Sequence, residues 1–204
     1  MDKLTNEKRL EILKAAIDLF SERGFERTTV DEIASRANVG KGTIYLYFEN
    51  KEKIFIAILE SGIQAIINRM DEILNESGDF QQRFEAMLKE HLQFAEDHRE
   101  FYQVLLKERL NMKLIGDKDA QDRLMEKHQK THQQLSQFMQ IGIDQNQLRK
   151  GDPNIFAFVF SGIISHFCFH WLKEKENGSL VDQVPVILDL FYNGVGRKEC
   201  LIVK

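Results

Sequence analysis

Two short amphipathic segments, TTVDEIASRA (residues 28–37) and KGTIYLYF (residues 41–48), stand three residues apart, and that spacing constrains the chain more than any other feature. Thr29 with Glu32 three residues later is a capping box that starts a helix. Val30, Ile33, Ala34 and Ala37 give this helix its buried stripe, and Asn38, which tolerates the left-handed conformation, closes it. After the Asn38-Val39-Gly40 turn a second stub runs over roughly Lys41–Phe48. The spacing is that of a helix-turn-helix, whose second helix enters the major groove of DNA.

Placing the second stub on a wheel sorts its side chains by direction. Ile44 and Phe48 fall together and must face the core. Gly42, Thr43 and Leu46 then lie on the opposite side, with Tyr45 and Tyr47 on the flanks. Phenolic hydroxyls on the flanks reach phosphates without reading sequence. Gly42 lets the backbone approach closely. Thr43 can hydrogen-bond base edges, and Leu46 offers only apolar contact, best suited to a thymine methyl. Lys41 and Lys51 would add cations for phosphates, and the amino end of the preceding helix, with Thr29, is a further phosphate site. Helix-turn-helix pairs also occur without DNA contact, and the two tyrosines and Leu46 could instead pack against a neighbouring helix. Geometry alone leaves both readings open.

The remainder of the 204 residues reads as helix throughout. Only two prolines occur, and no alternating β-branched segment lies between turn signals. A first helix spans about Thr5–Arg23, with Leu10, Leu13, Ile17 and Phe20 on one face and Gly24 as its left-handed cap. Asn50 caps a fourth helix reaching about Leu74. After the break at 75–78 come helices near 80–96, 99–110, 118–145, 153–175 and 182–194. Asp152-Pro153 opens the eighth cleanly, whereas Pro185 leaves the start of the ninth ambiguous. The expected fold is all-α: an N-terminal three-helix domain over 1–50 and a helical bundle over 51–204, about nine helices in all.

Charge gives no global nucleic-acid signal. The net charge is −4, and residues 1–50 hold eight Lys/Arg against nine Asp/Glu, so any DNA binding must come from local placement. The sequence Gly40-Lys41-Gly42-Thr43 lacks the spacing and the preceding strand of a nucleotide-binding loop.

Residues 9–56, RLEILKAAIDLFSERGFERTTVDEIASRANVGKGTIYLYFENKEKIFI, resemble the DNA-binding domain of TetR-family transcriptional regulators. The "GTIYLYF" helix and the "NKEKIF" entry to the fourth helix carry the match, and "NQLRKGDPNIFAFVFSGI" (146–163) resembles the family's entry into its eighth helix. The resemblance implies DNA contacts at Thr29, Lys41, Thr43, Tyr45, Tyr47 and Lys51. Three positions depart from the pattern. Asn38 stands where many members have Gly, and Asp31 where some carry a basic base-reading residue. Gly40 replaces Ser or Thr and still caps the third helix, at a loss of about a few tenths of a kcal/mol.

By the same resemblance the larger domain pairs with a second copy and encloses an inducer. On the eighth helix Ala157, Ser161, Ser165 and Cys168 form a small-residue stripe that would let two helix axes approach, the expected dimer seam. Phe156, Phe160, Ile163, Phe167, His170 and Trp171 form a broad stripe on the other side, the expected lining of a ligand pocket with His91, Phe94, Tyr102, Leu106 and Phe138. Ordinary core packing would give the same stripes.

The run Ile155–Leu172 is long enough to approach a membrane span, but its Ser and His residues favour a buried helix over a membrane partner. His128/His132 and His166/His170 are i, i+4 pairs without a neighbouring third ligand at zinc-site spacing, so no metal and no cofactor are expected. Cys168 and Cys200 read as free thiols, the N-terminus lacks an apolar signal core, and no catalytic motif is present. The expectation is therefore a cytoplasmic, non-enzymatic regulator. It would be a homodimeric repressor on a palindromic duplex operator, released by a small lipophilic or aromatic effector. The alternative is a DNA-bound organising protein of the same fold without an inducer.

Overall fold

The computed structural model describes residues 3–108, 116–173 and 178–194, and among them nine α-helices and no strand. They are α1 (Lys3–Arg23), α2 (Val30–Arg36), α3 (Lys41–Tyr47), α4 (Lys51–Asn75), α5 (Phe80–Asp97), α6 (Arg99–Glu108), α7 (Lys118–Asp144), α8 (Pro153–Lys173) and α9 (Val184–Asn193). The chain forms two compact units. One comprises Met1–Ile67 and His98–Gln129, the other Asn68–Asp97 and Lys130–Lys204, and α4 and α7 contribute to both. The expected helix ends beyond Glu108 and Lys173 lie outside the described residues, as does Cys200.

In the first unit Gly24 takes a φ of 85° and donates its N–H to Phe20 O, ending α1 in the left-handed conformation an L side chain resists. Beyond it Phe25 turns back onto Phe20 and Phe55, with ring centroids 5.1–6.0 Å apart in this trio. Ile12, Leu13, Ala16, Leu19 and Phe20 face the core from α1, with Ile33, Ala34, Ile44, Ile54 and Ile58 from α2, α3 and α4. The expected stripe on α1 needs one correction: Leu10 is 56% exposed and Ile17 half-buried. The reason is that α1 packs against α6 as well as α2, which rotates its buried face toward Ile12 and Leu19. Glycine at 62 is a requirement of the α4–α6 contact, since a Cβ there would lie 1.9 Å from the Phe101 ring. Polar ties join α4 to α7 in the same unit: Lys53 to Asp117, and Glu60 to Arg123 at 2.9 Å.

The second unit is built on aromatic rings. Phe84 of α5 stands at its centre, with ring centroids 4.5–6.2 Å from Phe80, Phe138, Phe160, Phe191 and Tyr192. The free N-terminal amides of α5 are met from the end of α7 and the turn after it: Phe80 N and Gln81 N donate to the side-chain oxygens of Gln145 and Gln147. Arg69 grips Glu90 with two hydrogen bonds of 2.6 and 2.9 Å, tying the end of α4 to α5. The ambiguity at Pro185 resolves into a 3₁₀ turn over Val181–Gln183 followed by α9, with the proline among its first residues, where no helical N–H is required of it. One Glu96 carboxylate oxygen accepts from Leu180 N, Val181 N and Ser179 Oγ and so anchors that turn to α5.

Candidate nucleic-acid interface

The interface is assembled from α2 and α3. Thr29 Oγ1 accepts from Glu32 N at 3.3 Å, and the Glu32 carboxylate accepts from Thr29 N at 2.9 Å, completing the capping box. The Thr29 N–H, and then the Thr29 hydroxyl donating to Glu32 Oε2 at 3.0 Å, are the largest causes holding the Glu32 carboxyl below its ordinary pKa, and Arg23 at 2.7 Å adds to them. At the other end Asn38 has a φ of 52°, and Val39 N donates back to Ala34 O at 3.0 Å, which reverses the chain into α3. Gly40 caps α3 without a side-chain bond. Arg36 fixes α2 to α1 through Glu22 at 3.1 and 3.2 Å.

On α3 the side chains divide by direction as the wheel requires. Ile44 is fully buried and Phe48 nearly so, with the Arg9 guanidinium 5.4 Å over the Phe48 ring. Leu46 is 83% exposed and Tyr45 50%, while Gly42 is exposed and Thr43 and Tyr47 are half-buried. Exposure on this scale has no structural use within the protomer. A leucine presented between two tyrosines loses apolar surface from water only when something docks there.

The two lysines have different surroundings. Lys41 Nζ is paired with Asp31 Oδ1 at 2.8 Å, both exposed, and the Asp31 hydrogen bond raises the lysine pKa. Lys51 Nζ donates instead to the carbonyls of Phe25, Glu26 and Thr28 at 2.7, 3.3 and 2.8 Å, and lies 4.3 Å from the centroid of the Phe25 ring. Thr29, Lys41, Gly42, Tyr45 and Leu46 are exposed and Thr43, Tyr47 and Lys51 half-buried, with the Lys51 ammonium bonded to backbone carbonyls of the α1–α2 connection. Sequence reasoning missed this because carbonyl acceptors carry no residue signature.

The expected ligand-pocket residues do not form one group. Phe138, Phe156 and Phe160 are buried, and Phe138 and Phe160 belong to the aromatic cluster around Phe84. Phe167, His170 and Trp171 line a cavity of about 570 Å³ with Leu180, Ser179 and Gln183. His91, Phe94 and Ile163 are half-buried in the same unit. Packing around the His91 ring desolvates it and presses its pKa down to about 4. Tyr102 is buried in the first unit, against Phe101, and the Leu106 side chain lies outside the described residues.

The expected seam also divides. Ala157 and Cys168 are buried within the protomer, the Cys168 thiol being pushed up to about 12 by desolvation, while Ser161 and Ser165 are half-buried. The apolar surface that α8 leaves open is Ile155, Phe158, Val159 and Phe169, and α9 adds Val186. By length and composition α8 could cross a membrane, although one face of it is core of the second unit. Among the described residues no three His, Cys, Asp or Glu side chains are grouped to hold a metal ion.

Short α2, a reversed turn, and a projecting α3 with a backed apolar anchor define a helix-turn-helix protein. Residues 12–58 match the model of bacterial regulatory proteins of the tetR family, and residues 77–182 match the tetracyclin repressor-like C-terminal domain. The chain belongs to the TetR family of transcriptional regulators. It is 26% identical over 200 residues to the fatty acid metabolism regulator protein of Bacillus subtilis, covering 94% of this chain and 97% of that one. The crystal structure of Bacillus subtilis FadR in complex with stearoyl-CoA superposes with a TM-score of 0.79 at 24% identity, over 92% of this chain and 99% of that one. The SmeT–triclosan complex does so at 0.75 and 22%, over 91% and 90%.

Proposed function

We propose that the chain is a cytoplasmic repressor that binds a palindromic operator as a homodimer and leaves it when a lipophilic effector binds. Leu46 carries the DNA reading: an 83%-exposed leucine on a helix whose Ile44 and Phe48 are buried. Tyr45 and Tyr47 would hold phosphates on either side, Thr43 and Leu46 would meet base edges, and Gly42 would admit the backbone. We assign DNA binding to residues 1–50 and effector binding and pairing to 51–204.

For pairing, the open stripe Ile155, Phe158, Val159 and Phe169 with Val186 replaces the small-residue stripe as the surface offered to a second copy. A two-fold axis makes such a patch self-complementary, and two recognition helices then meet successive major grooves. For the effector, likeness to a fatty acid metabolism regulator along nearly the whole chain, together with the stearoyl-CoA bound in the FadR structure of like fold, supports a long-chain acyl thioester as the lipophilic ligand. Because binding free energies are linked, operator DNA weakens effector binding by the factor with which effector weakens operator binding. The mechanism needs no catalytic group.

The test is selection of bound duplexes from a random pool, followed by titration of the selected duplex with stearoyl-CoA. An inverted repeat that the thioester releases supports the reading. A sequence without two-fold symmetry, or no enrichment, overturns it.

A further inference from the structure

We infer that Lys51 is a positioning residue, holding the helix-turn-helix against α4, and does not contact DNA; this rests on the DNA-binding reading above. An ammonium has three N–H donors, and three carbonyls within 3.3 Å take all of them. The Phe25 ring closes a further side at 4.3 Å. A phosphate oxygen would have to displace one of these carbonyls from the ammonium, and only Phe25 O, which also accepts from Thr28 N at 3.2 Å, is shown with a second donor.

The three carbonyls are well chosen for this task. They lie in the α1–α2 connection, where no helix ladder supplies donors. Phe25 is packed into the core between Phe20 and Phe55. Thr28 is buried, with its hydroxyl donating to Gly24 O at 2.9 Å. Thr29, next in sequence, is the cap of α2. One side chain at the first turn of α4 thus sets where α2 begins, and the tight turn at Asn38 carries that setting to α3. A displacement of α4 would move the recognition helix through this clasp.

The alternatives differ in salt dependence. A lysine that neutralises a phosphate contributes about 0.9 to the slope of log K against log salt, for specific and nonspecific DNA alike. A positioning lysine contributes nothing to the slope and acts only on the specific complex. Charge alone also separates them, because Arg serves a phosphate as well as Lys does, whereas its planar fork does not fit three converging carbonyls.

The experiment measures Kd over a salt series for wild type, Lys51→Met and Lys51→Arg, on a duplex selected by the wild-type protein and on an unrelated duplex. Both variants are expected to lose roughly tenfold or more on the selected duplex, with wild-type slope and wild-type affinity on the unrelated one. A slope lower by about 0.9 for Lys51→Met, with Lys51→Arg at wild-type affinity, overturns the inference in favour of a phosphate contact. Wild-type affinity for both variants overturns it as well. If Lys51→Met does not fold, Lys51→Arg decides alone. If the wild-type protein selects no duplex, it is the DNA-binding reading that has failed.

Discussion

Lys41 of α3 and Asp31 of α2 form an ion pair, Nζ to Oδ1 2.8 Å, on the surface that α3 presents. On the proposed reading a cation beside the expected groove is thus neutralised before DNA arrives, and a carboxylate stands where phosphates would come. Exposed pairs of this kind are worth little to folding. Their effect falls on binding: a phosphate must compete with Asp31 for Lys41. Asp31→Asn is expected to tighten binding to an unrelated duplex about two- to fivefold and to steepen its salt slope by up to about 0.9, with the thermal midpoint nearly unchanged. Filter binding over a salt series checks this. Unchanged slope and affinity would mean that Lys41 makes no phosphate contact even when freed of Asp31.

Leu46 has almost no intramolecular contact to lose, so Leu46→Ala is expected to shift folding stability by less than about 0.5 kcal/mol. On the proposed reading its effect would fall on recognition. Removing an apolar contact to a thymine methyl costs about 1 kcal/mol at one base pair per half-site and leaves phosphate contacts in place. Repeating the duplex selection with this variant should show a relaxed preference at one symmetric pair of positions. A uniform loss on every sequence would contradict base contact.

Which parts of the site could be read from residues alone follows from the kind of interaction. α3 was legible because a two-turn helix with buried Ile44 and Phe48 leaves no freedom for Leu46. Capping was legible at Thr29, Asn50 and Asp152 because side-chain caps have fixed offsets, and each accepts the expected amide. Lys51 was not, since backbone carbonyls are the same at every residue. Leu10 was misplaced because periodicity defines a stripe but not which neighbour, here α6 as well as α2, widens or rotates it. On α8 the wheel put Phe160 inside, where it lies, but almost every position is apolar, so the pattern gave no role to the exposed Phe158 and did not show which further face stays open.

His91 gives the second unit a built-in acid sensitivity. Its pKa is pressed to about 4 in the folded chain by desolvation, against about 6.5 when unfolded. The unfolded chain therefore takes up a proton first as pH falls. The stability held above pH 6.5 is lost progressively between about pH 6.5 and about pH 4, by no more than about 3 kcal/mol. His91→Gln, which has no titrating ring, should flatten the stability curve over that window. Urea midpoints measured at half-unit pH steps would show it. An equal slope in wild type and variant would place the titrating group elsewhere.

Phe158 and Ala157 are neighbours in sequence and opposites in exposure, 72% against fully buried. They separate pairing from folding. Phe158→Lys adds a charge to the open stripe of α8 without touching the protomer core, and it places two like charges near a two-fold seam. It is expected to raise the dimer dissociation constant by about a hundredfold or more and to abolish bridging of two half-sites, with helicity retained. Ala157→Leu forces extra methylenes into the packed interior and is expected to lower stability by about 1–3 kcal/mol while the oligomeric state stays the same. Sedimentation velocity with circular dichroism on both variants distinguishes the faces. Monomers from Ala157→Leu at full helicity, with dimers from Phe158→Lys, would return the seam to the small-residue stripe, since only a residue lying in the interface can break it without disturbing the fold.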